Sequence, residues 1–267
     1  MQQNRKHGFT LIELSVVLLV LSLMLGGILT IVTQTARIEK RNQLNAKIER
    51  IKTAMMDFRL GNKRLPCPGD STLITSYSNF GREGDSPGDC AGGALASTFA
   101  DAGANVYGGS VPVRTLGLTD DDAYDPWGNL FLYAVDKRIT DTTANNPFSA
   151  YPTTHSSIGN ITVRDADAGG EVITSRALYV LVSHGQNGHG AYMRSGNRKS
   201  TGSTNTRELA NCDCTAAAVA GTFDSTFYRG SELTNSANAL NAFDDTVMFF
   251  FRSDLLSSAE ADAETIN

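Results

Sequence analysis

Tryptophan occurs once, histidine and cysteine four times each and proline seven times in 267 residues, and none of these scarce residues is spaced for chemistry. The histidines make no H-E-x-x-H pair, which excludes the helical zinc-hydrolase pattern. Ser183 stands beside His184 without a surrounding G-x-S-x-G, so there is no nucleophile elbow. His184 and His189, five apart in a Gly-rich turn, read as exposed turn residues, and His7 and His155 stand alone. Cys67, Cys90, Cys212 and Cys214 lack the paired C-x₂₋₄-C spacing of a structural zinc site. Cationic residues are short too: Lys+Arg number 23 against 28 Asp+Glu, net −5, which argues against a nucleic-acid binder. Hydrophobic residues at 41% rule out general disorder.

Charge is unevenly spread. Residues 33–64 carry a net +6 and residues 65–267 a net −12, giving a basic neck and an acidic head. Before the neck, Phe9 to Val32 forms a 24-residue apolar run interrupted by one ionisable group, Glu13, and by no proline. As a helix it would extend roughly 36 Å, enough to cross a hydrocarbon core of about 30 Å. A buried core helix of this length would normally show a polar face. A secretory signal peptide would be shorter and would close on an A-x-A-like site. A carboxylate at membrane depth costs about 2.5–3.5 kcal/mol, so Glu13 should have a partner or a function unless it snorkels to the headgroups.

The segment Gly8-Phe9-Thr10-Leu11-Ile12-Glu13-Leu14, behind the polar leader MQQNRKHG, resembles the processing site of type IV prepilins and type II secretion pseudopilins. The resemblance implies a leader at 1–8, cleavage by prepilin peptidase between Gly8 and Phe9, methylation of the new Phe9 amine, and assembly with other pilin or pseudopilin subunits. It also implies that Glu13 faces the α-amine of a neighbour. A buried carboxylate and ammonium relieve each other's desolvation only when the helix stagger brings them together. The implied location is the bacterial inner membrane, single-pass with a periplasmic head, before assembly into a filament. Six Lys/Arg in 33–52 against two in the leader would by the positive-inside rule orient the chain oppositely. The prepilin pattern and the length of the translocated domain override that count.

Leu44, Ile48, Ile51, Met55 and Phe58 follow at steps of 4, 3, 4 and 3, the stripe of an amphipathic helix. The sequence thus predicts a transmembrane or filament-core helix at 9–32 joined to an amphipathic helix at 33–62, then a head at 63–267 that is loop-rich over 63–128 and has a flexible tail at 253–267. Nine glycines between Gly81 and Gly117 read as an irregular connection. Strands are expected at 130–135, 161–163, 177–182 and 246–251, and an exposed loop at 195–206. The predicted class is α+β: a long N-terminal helix packed on an antiparallel sheet. Asp125-Pro126-Trp127-Gly128-Asn129, with Leu130 to Tyr133 behind it, resembles the D-P-W-G-N signature of major pseudopilins, Trp127 also being suited to fill a core gap. The chain exceeds that pattern in length, the extra residues lying in 69–110 and 195–235.

In a head placed outside the cytoplasm, four cysteines favour disulfides. Of the possible pairings, Cys67–Cys90 is preferred, leaving Cys212 and Cys214 as a tight bridge or a reduced pair. Major pseudopilins hold calcium in their C-terminal loops, and the matching positions here are Asp244, Asp245 and Asn187, a solvated acidic surface being the alternative. Asp120, Asp121, Asp122 and Asp125 form a separate acidic run. No cofactor is otherwise required. The expected function is a structural subunit of a pseudopilus or pilus, not an enzyme. The alternative is a membrane-tethered extracytoplasmic enzyme or binding protein.

Overall fold

The computed structural model describes residues 10–84, 90, 99–100, 106–142, 159–217, 225–233 and 239–256, with the side chains of 23–34 and 99–100 left out. Contacts divide the chain into two compact units, Met1–Asn45 and Ala46–Asn267.

Helix α1 spans Leu11–Asn62, 52 residues, and the Gly26-Gly27 pair lies within it without a break. It starts on a capping box: the Glu13 N–H donates to Thr10 Oγ1 at 3.3 Å, and the Thr10 N–H donates to Glu13 Oε2 at 3.4 Å. It ends at Asn62, after which Lys63 takes a left-handed φ of 58° and donates its N–H to Arg59 O at 2.7 Å. Of the predicted stripe, Leu44, Ile48, Ile51 and Met55 are buried, while Phe58 is half-exposed and the buried residue of that turn is Arg59.

The second unit contains eight strands among its described residues: β1 (Phe99–Ala100), β2 (Val106–Ser110), β3 (Leu132–Asp136), β4 (Ile161–Asp165), β5 (Val172–Ala177), β6 (Tyr179–Ser183), β7 (Thr226–Arg229) and β8 (Thr246–Phe250), with a short helix α2 (Thr206–Asn211). An antiparallel sheet runs in the order β1-β2-β3-β6-β8 and a smaller one β5-β4-β7, where β4 and β7 are parallel. The predicted α+β class, a long helix and an antiparallel sheet, is what the structure has. Alternation along β3, β6 and β8 assigns each residue a face. Leu132, Ala134, Val180, Val182 and Val247 pack against Ile161, Val163, Ala177 and Phe227 of the smaller sheet. On the opposite face Tyr179 stacks on Phe250 at 4.4 Å, and the ammonium of Lys52 on α1 lies 5.9 Å from the Phe250 ring.

Two expectations for this region change. The stretch read as an irregular connection contains β2, because Gly109 is in that strand for closeness rather than for looseness. A Cβ there would strike Gly69 O, and its absence lets Gly69 and Ser110 exchange two backbone bonds of 2.8 Å. The tail read as starting at Ser253 is held for its first part, with Leu255 and Leu256 buried; the remainder, 257–267, lies outside the described residues. The loop read as exposed at 195–206 likewise buries Ser203 and Asn205, since Asn205 caps α2 by accepting the Arg207 and Glu208 N–H groups.

Both cysteine pairs are bonded, Cys67 to Cys90 and Cys212 to Cys214. Beside the first, Arg64 grips Glu83 through two bonds of 2.7 Å, and Glu83 also accepts the Cys67 N–H at 3.1 Å. The charge on a nearly buried arginine is thereby matched in geometry as well as in sign.

Candidate functional site

Two places carry the residues singled out from sequence. At the N-terminus, Gly8 and Phe9 lie outside the described residues. Glu13 is in the first turn of α1, where its carboxylate closes the capping box with Thr10. The signal for this was present in the sequence as T-x-x-E before an apolar run. The side chains that follow have no tertiary cover: Leu11 is 89% exposed and Ile12 74%, and Leu14, Val16, Val17, Leu18 and Leu19 are exposed as well. Among the described residues no helix is long and apolar enough to cross a membrane. The apolar run read at 9–32 continues into the stretch whose side chains are not described.

In the head, the sequence patterns that looked separate form one corner. Asp125 accepts the Trp127 and Asn129 N–H groups, both at 2.9 Å, and the Ser183 hydroxyl at 2.7 Å. Asn129 donates from Nδ2 to Gly185 O at 2.6 Å. Burial raises the Asp125 carboxyl above its ordinary range, while these three donors and Asn129 Nδ2, 3.2 Å from Asp125 Oδ2, pull the other way. Trp127 is half-buried at the turn rather than filling the core. The motif is thus a bracket that fixes the start of β3 to the turn 184–190 leaving β6.

That turn is packed against Asp244 and Asp245, which precede β8. Gly185 has a φ of 60°, and a Cβ there would meet the Asp244 backbone and carboxylate. Asn187 was expected as a cation ligand, but its polar groups are engaged. Its backbone N–H donates to Asp244 Oδ2 at 2.9 Å, its Nδ2 donates to Glu208 Oε1, and its Oδ1 accepts the His189 N–H at 2.9 Å. The third carboxylate of the corner is instead Glu208 of α2, one of whose oxygens lies within 4.8 Å of an oxygen from each of Asp244 and Asp245. Sequence reading missed it because Glu208 sits in the extra segment, far along the chain from the aspartate pair. Asp245 Oδ2 accepts from Asn211 Nδ2 at 2.9 Å. Burial, reinforced by the charge of Asp245, lifts the Glu208 carboxyl to about 7, and burial lifts Asp244 to about 6. Glu208 Oε2, Asp244 Oδ1 and Asp245 Oδ1 are buried without a hydrogen-bond partner. Three clustered acids, each with one oxygen left without a hydrogen-bond partner, are a donor set suited to a hard cation such as calcium.

The histidines correct the sequence reading: His184 and His189 are buried, not exposed. His184 Nδ1 is 3.6 Å from Asp245 Oδ1. His189 Nδ1 accepts the Thr201 N–H at 3.1 Å, and Nε2 faces Thr215 O at 3.0 Å, so the ring ties two loops together. Burial holds its pKa below the ordinary histidine value. Although His189, Cys212 and Cys214 lie close enough to share a metal, the two sulfurs are bonded to each other and both ring nitrogens are engaged. The Asp120–Asp122 run is used elsewhere. Asp121 accepts from Lys47 of α1 at 2.7 Å, and Arg50 pairs with Asp122 at 2.8 Å.

Among known families, the one described as the prokaryotic N-terminal methylation motif matches residues 3–29. The chain matches no curated protein and no solved structure. The matched segment is the signature carried by type IV pilin and pseudopilin precursors, and it covers only the N-terminal part of the chain.

Proposed function

We propose that the chain is a pilin-like structural subunit of a bacterial type II secretion pseudopilus or type IV pilus, and not an enzyme. The observation that carries this reading is the methylation motif at 3–29 running directly into a helix whose first turns expose nearly every apolar side chain. Such a surface needs an apolar surrounding: lipid while the subunit waits in the inner membrane, with 9–32 crossing it, and neighbouring helices once it is assembled. Prepilin peptidase removes residues 1–8 and Phe9 becomes the methylated terminus. Glu13, released from its capping contact with Thr10, then pairs with a neighbour's amine and fixes the stagger. Among its described residues the head presents no arrangement of nucleophile, base and orienting group, which weighs against a tethered enzyme.

The test is the N-terminal mass of the chain co-produced with a prepilin peptidase. Loss of residues 1–8 with gain of one methyl is expected, and Gly8→Leu should remain full-length because the side chain blocks close approach at the cut. A retained Met1 in the wild type, or removal of the whole apolar run, would favour the tethered alternative. On the processed chain, Glu13→Val should be cut normally yet fail to co-purify with other pilin-like subunits, since the unpaired buried amine costs about 3–5 kcal/mol.

A further inference from the structure

The three carboxylates of the head corner come from different parts of the chain: Glu208 from α2, and Asp244 and Asp245 from the approach to β8. Glu208 and Asp244 accept from Asn187 and Asp245 accepts from Asn211, and each acid keeps one buried oxygen without a hydrogen-bond partner. Glu208 has no solvent exposure, yet among the described residues neither it nor Asp244 is paired with a lysine or arginine. Beside them the buried His184 Nδ1 also lacks a hydrogen-bond partner and is aimed at Asp245. Buried like charges at such separations are relieved either by taking up a proton or by a counter-cation.

We infer that Glu208 is the third carboxylate ligand of a hard divalent cation held with Asp244 and Asp245, and that this ion clamps the extra segment 195–217 onto the turn 184–190 and the start of β8. The resemblance supplied the aspartate pair and Asn187, but not Glu208. The ligand that completes the set belongs to the segment by which this chain exceeds that pattern. Its placement follows from local chemistry. Asn205 caps α2 one turn before Glu208, Asn211 bridges Tyr228 and Asp245, and the Cys212–Cys214 bond closes the helix end against Gly190. The segment is thus built as a short arm that carries one acid to a fixed point. All-oxygen donors select a calcium-like ion over zinc or copper, with carbonyls or water completing the shell.

The experiment uses the full-length chain in detergent, stripped with chelator and titrated with calcium chloride or magnesium chloride. Calorimetry should give one calcium per chain, and hydrogen exchange across 195–217 should slow on binding. Glu208→Gln should weaken calcium binding by about tenfold or more and abolish that slowing, while Asp57→Asn, an exposed acid elsewhere, should change neither. Metal-free Glu208→Gln should unfold no earlier than metal-free wild type, because a buried like charge has been removed. Should the variant fail to fold, Glu208→Asp, which keeps the charge but shortens the reach, should show the same weakening. Wild type that binds neither ion, or Glu208 variants that bind and protect 195–217 as wild type does, would overturn the inference. None of these readouts depends on N-terminal processing, so the pilin-like reading stands or falls separately.

Discussion

Leu11 and Ile12, at the start of α1, are 89% and 74% exposed, whereas Ile51 and Met55, later in the same helix, have no exposure at all. The first group lies in residues 1–45 and the second in residues 46–267. One element therefore carries two opposite solutions to apolar surface. The later part is satisfied inside the chain by sheet, turn and ion pair. The described start of the helix, residues 11–22, is satisfied along its own backbone and leaves its side chains exposed. Helix propensity alone cannot distinguish these regions, because both are good helix; tertiary burial does.

Perturbations in the two regions should separate accordingly. The largest loss is expected from Glu83→Gln, which leaves the Arg64 guanidinium charged in a site where it is nearly buried. About 3–5 kcal/mol should disappear from the stability of the head, read by urea unfolding of the full chain in detergent. Next come matched truncations in α1. Ile51→Ala should cost about 2–5 kcal/mol, while Leu18→Ala should leave the unfolding midpoint of the head unchanged; equal effects would erase the distinction. The smallest pair compares the two caps. Asn205→Ala should lower head stability by about 1 kcal/mol. Thr10→Ala should instead speed exchange only of the first α1 amides, those of Glu13 and Leu14, with no change in the head.

The α+β class, the long helix and the strands around residues 132–136, 161–165, 179–183 and 246–250 were legible because their apolar residues run continuously or alternate cleanly. β2 was hidden: VYGGS has the composition of a loop, and only the approach of Gly69 to Gly109 explains why glycine suits a strand there. β5 was hidden for another reason. Its burial is mostly outward, Val172 and Ile173 being exposed, so no face marked it as a strand. At the N-terminus the motif was plain in sequence. In the head corner the aspartate pair, Asn187 and the Asp125–Asn129 motif were, whereas the burial of the histidines and the place of Glu208 depend on contacts between distant segments that no local spacing encodes.

The strand order carries a consequence for how the protein is made. β6 lies between β3 and β8, and β8 ends at Phe250. Synthesis delivers the apolar start of α1 first and β8 almost last. At about 5–20 residues per second, the Tyr179–Ser183 strand is finished several seconds before its second neighbour exists. During that interval a fully apolar stretch, YVLV, has one backbone edge open while the exposed apolar start of α1 has already been made. The nascent polypeptide, rather than the finished chain, is the stage at which two apolar surfaces stand open at once.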